Sequence, residues 1–199
     1  MFITLEGIEG AGKSTAAQFL ITFLEQNGIS CLLTREPGGT LLGETLREQL
    51  LHYKMHSDTE LLLMFAARAE HWQHKIKPAL EKKQWVICDR YIDSSYAYQG
   101  AGRGISMEKI TILETTFFEK AQPDLTLLFD LSPEIGLQRA QKRGELNRFE
   151  EETLAFHQRI RESYLQRAHQ NPQRFQLIDA SLPFEIIQQI LKQRLSLHL

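Results

Sequence analysis

Cysteine is scarce in this chain of 199 residues: only Cys31 and Cys88 occur, each inside a short apolar run. Two such residues make no disulfide framework and are expected to be reduced thiols buried in strands. Long hydrophobic runs are missing as well. No apolar stretch approaches the roughly 20 residues needed to cross a bilayer. The N-terminus runs directly into a strand-like segment, with no room for a signal peptide, so the sequence predicts a cytoplasmic protein with no membrane partner. Charge of one sign is not in excess: 23 Lys+Arg against 25 Asp+Glu leave a formal net charge of -2, which argues against a nucleic-acid partner. The histidines at 52, 56, 71, 74, 157, 169 and 198 lack metal-ligand spacing. His71 and His74 stand three apart, but no cysteine or carboxylate partner recommends a zinc site. The N-K-x-D signature by which guanine-nucleotide switches read their base is absent, which argues against a GTPase. A hydrophobic share of 42% and a charged share of 24% are ordinary for a soluble domain. No linker, repeat or low-complexity segment divides residues 1–199, which are expected to form one α/β domain.

What is present begins at residue 7. The run Gly7-Ile8-Glu9-Gly10-Ala11-Gly12-Lys13-Ser14-Thr15 fills the pattern G-x-x-x-x-G-K-[ST], follows the strand-like Phe2–Glu6 and opens an amphipathic helix. Glycines let backbone N–H groups turn inward around a polyphosphate, and the helix N-terminus adds partial positive charge. Lys13 would reach the outer phosphates and the Ser14 hydroxyl would ligate Mg²⁺. The chain is expected to bind a nucleoside triphosphate.

Short apolar runs alternate with helical patterns. Strands are expected at Phe2–Glu6, Ser30–Thr34, Trp85–Cys88, Leu125–Asp130 and Phe175–Ile178, most without polar alternation, as in a parallel sheet covered on both faces. Helices are expected at Ser14–Gln26, Ser57–Lys75, Ile105–Lys120 and Glu150–Gln170, with others opened by Ser132-Pro133 and by Pro183. Ligands of such a five-stranded sheet gather at the carboxyl ends of its strands.

The third strand ends in Cys88-Asp89-Arg90-Tyr91. An acid there can orient Mg²⁺ or its waters, and the neighbouring arginine can bridge donor and acceptor phosphates. Asp130 closes another strand and competes for the metal role; the adjoining arginine favours Asp89. Arg35-Glu36-Pro37-Gly38-Gly39-Thr40, followed by Arg47, leaves the second strand at the same edge. Phe65-Ala66-Ala67-Arg68 sets an aromatic ring and an arginine on one helix face. Asp93–Gly104 reads as a polar, glycine-rich loop.

In this order, the phosphate loop with its Glu9, E-P-G-G-T, F-A-A-R and D-R-Y-x-x-S-S-x-A-Y-Q-G-x-G-R-G resemble the bacterial thymidylate kinases, from Phe2 to about Ile178. The resemblance implies an α/β, three-layer P-loop kinase fold with a mobile lid (about residues 139–150), usually a homodimer. It implies transfer of the ATP γ-phosphoryl group, with Mg²⁺, to dTMP. A broader deoxynucleoside monophosphate kinase and a non-catalytic nucleotide-binding module are the alternatives. The acceptor is itself a phosphate with a second pKa of about 6, so no general base is needed. Catalysis then rests on positioning and positive charge.

The resemblance also implies roles. Gly7, Ile8, Glu9, Gly10, Ala11, Gly12, Lys13, Ser14 and Thr15 would hold ATP together with Arg139 and Arg143. Lys13, Arg90, Arg143 and Arg148 would be catalytic, and Ser14 and Asp89 would hold Mg²⁺, directly or through water. Arg47 and Arg90 would grip the dTMP phosphate, with bidentate guanidinium geometry suited to the task. Phe65 would stack on thymine, Arg68 and Gln99 would hydrogen-bond its edge, and Ser95 would touch the base, with Glu36, Pro37 and Ser94 in the same pocket. Tyr98 would crowd the sugar 2′ position. Glu9 would meet the 3′-hydroxyl or the arginine on the acceptor phosphate. Glu36-Pro37 is often cis in the family. Gly10 stands where another branch carries a catalytic arginine, so a lid arginine would do that work: Arg143 first, then Arg148, then Arg139. Helix Ser57–Lys75, whose apolar residues exceed one face, is a candidate dimer contact.

Overall fold

Strand β1 (Phe2–Glu6) is buried at all five residues, a pattern that requires both faces of the sheet to be covered. In the computed structural model, which describes residues 1–144 and 146–198 apart from the Arg143 side chain, β1 lies at the centre of a parallel five-stranded sheet. The other strands are β2 (Cys31–Arg35), β3 (Trp85–Asp89), β4 (Leu125–Asp130) and β5 (Phe175–Asp179), in the order β2-β3-β1-β4-β5. Ile3 is in register with Ile87 on one side and Leu125 on the other.

Side-chain alternation along the strands builds two apolar clusters. Ile3, Leu5 and Ile87 pack with α1 (Lys13–Gln26), α8 (Leu154–Gln170) and α9 (Phe184–Ser196) through Leu20, Leu24, Ile160, Ile187 and Leu191. Phe2, Val86 and Cys88 pack with α3 (Ser57–His71) and α6 (Met107–Phe118) through Leu61, Phe65, Ile110 and Phe118. The layers are helices, sheet, helices. Both cysteines are free thiols; Cys88 is buried and Cys31 only partly so. Among the described residues no helix is long and apolar enough to cross a membrane.

Several elements differ from the sequence reading. Helix α2 (Leu41–His52) follows β2, capped by Thr40, whose side chain accepts from the Gly43 N–H at 3.0 Å. The helix expected over 57–75 leaves α-geometry after His71, passes through a π-helical turn at Trp72–Ile76 and resumes as α4 (Lys77–Glu81). Helix α8 starts at Leu154 rather than at 150, where the Thr153 side chain accepts from the Phe156 N–H. The segment read as a loop at 93–104 is helical through Gly102: α5 (Ile92–Ser95) continues as π-helix over Tyr96–Gly102, most of it buried, and a turn follows at 103–104. Gly100 and Gly102 serve packing, and only Gly104, left-handed at φ 77° beyond the helix, serves a turn. A Cβ on Gly100 would stand 2.7 Å from the Met107 sulfur, and one on Gly102 2.7 Å from the Phe156 ring. Helix α7 (Pro133–Arg143) follows β4, and the chain then crosses 146–153 to α8.

Candidate active site

The carboxyl ends of β1 and β3 open into a cavity of about 470 Å³ lined by the phosphate loop, the E-P-G-G-T turn, α3, the π-helix and the segment after α7. The loop itself is tightly held. Gly7, Gly10 and Gly12 have φ of 138°, 72° and 86°, values that disfavour any side chain. A Cβ on Gly7 would collide with the Phe129 carbonyl, and one on Gly10 with the carbonyl of Gly136 in α7. Lys13 is buried, and its Nζ donates to the Gly7 and Ile8 carbonyls at 2.9 and 2.8 Å. Burial, with Arg90 nearby, pulls its ammonium down to about 8 despite Asp89 and Glu9.

Arg90 joins the loop to the other half of the cavity. Its backbone is left-handed (φ 69°), a costly conformation for a residue with a side chain, and is held by its N–H donating to the Leu5 carbonyl at 2.9 Å. The guanidinium donates to the Gly7 carbonyl (2.9 Å) and to Glu9 Oε1 (3.0 Å), and stands 4.8 Å over the Tyr98 ring. The Tyr98 hydroxyl donates to the same Glu9 oxygen at 2.6 Å. Burial works against the Glu9 charge, but Arg90, His157 and Lys13 together hold its carboxyl far below the usual range. Beneath this pair lies Glu6, fully buried, accepting from the Tyr91 N–H (2.7 Å) and from the hydroxyls of Ser94 (2.6 Å) and Tyr164 (2.9 Å). Burial and the Asp93 carboxylate push it up to about 7.

The far wall is a buried polar network. Arg68 donates to Glu36 Oε2 (2.7 Å), the Ser95 hydroxyl (2.9 Å) and the Tyr91 carbonyl (2.9 Å). The other Glu36 oxygen meets His71 Nδ1 at 2.9 Å. The Glu36-Pro37 peptide is cis, and Arg47 donates to the Pro37 carbonyl at 2.8 Å. Phe65 is buried against Phe118 and does not line the cavity, but its ring lies 5.1 Å from the Arg68 guanidinium, which does.

Ser14 Oγ donates to Asp89 Oδ2 at 3.0 Å, and Asp89 Oδ1 is buried with no partner among the described residues. A hydroxyl and a carboxylate with an open oxygen fit Mg²⁺, which takes few protein ligands and completes its octahedron with waters and phosphate oxygens. Asp130, the other candidate, is committed to Arg161 at 2.6 and 2.8 Å.

The arginines expected over the nucleotide diverge. Arg139 lines the cavity and donates to the Gly10 and Ala180 carbonyls at 3.4 and 3.1 Å. The Arg143 side chain lies outside the described residues, as does Glu145 in the same segment. Arg148 does not line the cavity: it donates to Glu60 Oε2 (2.7 Å) and the Leu50 carbonyl (2.5 Å). Sequence reasoning missed Leu51 and Met64, which line the cavity, and Tyr164, which donates to Glu6 beneath it; Asn147, Phe149 and Glu150, which also line it, were reached only as part of the segment expected to be a lid. None belongs to a local pattern; the polar residue closing β1 was the one available signal for Glu6.

Comparison with known proteins agrees with this geometry. The sequence model of the family described as Thymidylate kinase matches residues 5–191. The thymidylate kinase of Pseudomonas entomophila is 54% identical over 191 residues, covering 94% of this chain and 91% of that protein. That of Alcanivorax borkumensis is 51% identical over 191 residues, covering 94% and 92%. The crystal structure of thymidylate kinase from Ehrlichia chaffeensis superposes with a TM-score of 0.74 at 38% identity, covering 89% of this chain and 91% of that one. The chain belongs to the thymidylate kinase family.

Proposed function

We propose that the protein transfers the γ-phosphoryl group of ATP to dTMP, giving ADP and dTDP, as a cytoplasmic homodimer of single-domain chains. The observation that carries this reading is the Arg90–Glu9 pair at the centre of one cavity. It ties the phosphate loop to the wall that bears Arg68, Ser95 and Gln99. Donor and acceptor nucleotides would enter from opposite sides and meet at Arg90.

The acceptor phosphate is largely dianionic at pH 7 and attacks without a general base. The work left to the protein is to bring two anions together and to shield their repulsion. Lys13 would exchange its two loop carbonyls for the outer phosphates, and the nearby anionic charge would restore its own. Arg47 and Arg90 would grip the acceptor phosphate. Mg²⁺ held by Ser14 and Asp89, directly or through water, would neutralise the β- and γ-oxygens. Glu9 keeps Arg90 aimed, and the Tyr98 ring beside it crowds the sugar 2′ position. Arg68, Ser95 and Gln99 would read thymine, with the Phe65 ring backing the Arg68 guanidinium. The segment 139–150 would close as a lid, with Arg139 at the phosphate loop and Arg143 over the transferring group, excluding water. The Glu60 bond of Arg148 supports a clamping role for that residue instead. For the homodimer, the support is apolar exposure on adjoining helices: Leu62 of α3 with Ile112 and Phe117 of α6.

The test is ADP release with Mg-ATP and a panel of dTMP, dUMP, ribose TMP, dCMP, dGMP and dAMP. Strong turnover with dTMP, weaker with dUMP and little with the others is expected. A flat panel would remove the base-reading wall, and no turnover would remove phosphoryl transfer.

A further inference from the structure

Glu60 belongs to no motif and does not line the cavity, yet it is 1% exposed in the first turn of α3 and gathers donors from the π-helix, from the residue that caps it and from the segment after α7. Its Oε2 accepts from Arg148 Nη1 at 2.7 Å and from Arg103 Nε at 3.2 Å. Its Oε1 accepts from Gln99 Nε2 at 2.8 Å and, more weakly, from the same Arg103 Nε at 3.5 Å. A buried carboxylate is costly unless paired and hydrogen-bonded. The two guanidinium groups supply the pairing, Arg148 with the shorter bond on Oε2, and Gln99 is the nearest donor on Oε1.

That bond decides which end of an amide faces the ligand. A glutamine side chain carries a donor and an acceptor of nearly equal size, and rotation by half a turn exchanges them. A carboxylate only accepts, so Glu60 selects the orientation in which the Gln99 N–H₂ group is turned away from the ligand. The Gln99 carbonyl oxygen is left for the cavity that the residue lines, with no donor reaching it among the described residues. An acceptor at that place complements a ring nitrogen that carries a proton, as N3 does in thymine and uracil. It opposes the bare N3 lone pair of cytosine.

We infer that Glu60 is a positioning residue that sets base selectivity, by locking the Gln99 amide so that it accepts from a protonated ring nitrogen and rejects an unprotonated one. The inference rests on the proposed reading that the cavity takes a thymine nucleotide.

The experiment compares kcat/KM for dTMP and dCMP in the wild type, Glu60→Gln and Arg103→Gln. Glutamine at 60 can donate or accept, which frees the Gln99 amide to turn. The dTMP-to-dCMP ratio should fall about tenfold or more in Glu60→Gln, since a site built around one hydrogen-bond polarity loses its power to reject the other. The change should appear as a raised KM for dTMP and a lowered KM for dCMP, with kcat on dTMP little altered. Arg103→Gln, which leaves the Gln99 bond in place, should keep the ratio. A ratio unchanged in Glu60→Gln, or lowered as far in Arg103→Gln, overturns the inference, because a merely structural Glu60 would depress both substrates together. A wild type without preference for dTMP over dCMP would instead sink the underlying reading. If Glu60→Gln does not fold, hydrogen exchange of the Gln99 side-chain amide in the wild type decides the matter. Slow exchange with and without dTMP supports the lock, and fast exchange in the free protein overturns it.

Discussion

Lys13 holds its ammonium on two carbonyl oxygens of its own loop, out of water, where its pKa is pulled down to about 8. In an unfolded chain it would titrate near 10.4, so at pH 7 folding disfavours the charge by roughly 3 kcal/mol. Lys13→Met removes that cost but strands two carbonyls, at about 1–3 kcal/mol each. The effects oppose each other, so we expect Tm to change by only a few degrees while kcat/KM falls about 10³-fold, the scale of losing a preorganised charge at the reacting phosphate. Thermal melts and steady-state kinetics on one preparation check both halves, and a variant that keeps its activity removes Lys13 from the chemistry. Glu6 shows the reverse sign. Its carboxyl is pushed up to about 7 by burial and by Asp93, so the folded state holds a proton that the unfolded chain releases near 4.3. Its contribution to stability therefore becomes less favourable as pH rises from about 4.5 through 7, by a few kcal/mol in all. Relative to the wild type, Glu6→Gln should gain stability between pH 5 and pH 8, read as a shrinking Tm deficit. A deficit constant across that range would refute the assignment.

Helices in this protein are placed by close approach more than by propensity. Gly136 lies within α7, where alanine would ordinarily gain about 1 kcal/mol in helix propensity. A Cβ there would stand 2.5 Å from the Glu9 carbonyl and 2.9 Å from Ile8 Cδ1, and overpacking of this kind costs about 1–3 kcal/mol. Packing should win. Gly136→Ala is expected to lower Tm and to raise KM for ATP by moving the phosphate loop, whereas a more stable variant with unchanged KM would show that α7 yields freely. The same logic explains the misread segment at 93–104. Gly100 and Gly102 suggest a loop when counted locally, but each is a contact point, against Met107 and Phe156. Those neighbours lie several to dozens of residues away, on α6 and α8, beyond the reach of local pattern.

For the molecule as a whole, the proposed lid role depends on bringing the segment after α7 to the phosphate loop. Helix α7 ends at Arg143, and the chain returns across the cavity through Asn147 and Phe149, both of which line it. Arg148 anchors this return to α3 through Glu60 and to α2 through the Leu50 carbonyl. The two arginines should therefore separate in kinetics. Arg143→Ala is expected to lower kcat ~10²-fold, a loss typical of one charge at a transferring phosphoryl group, with little change in Tm. Arg148→Ala breaks a buried pair and should lower Tm, with a smaller loss of kcat. Melting curves and single-turnover rates compare them directly; equal losses of kcat with equal Tm would return Arg148 to the catalytic set.

Sequence alone determined the elements whose chemistry is local. The phosphate loop was legible because its glycines, lysine and serine lie within one short run, and the inner strands β1, β3 and β4 because burial on both faces leaves continuous apolar runs. Asp89 and Arg90 were legible because they close such a strand. What only the tertiary structure decided is which charges neutralise one another. Arg90 meets Glu9 across 81 positions, Arg68 meets Glu36 across 32, and Arg148 meets Glu60 across 88. The pairing of Asp130 with Arg161, which leaves Asp89 as the open carboxylate, belongs to the same class. A charge buried by the fold must find its partner in space, and the chain order of the two residues carries no trace of that distance.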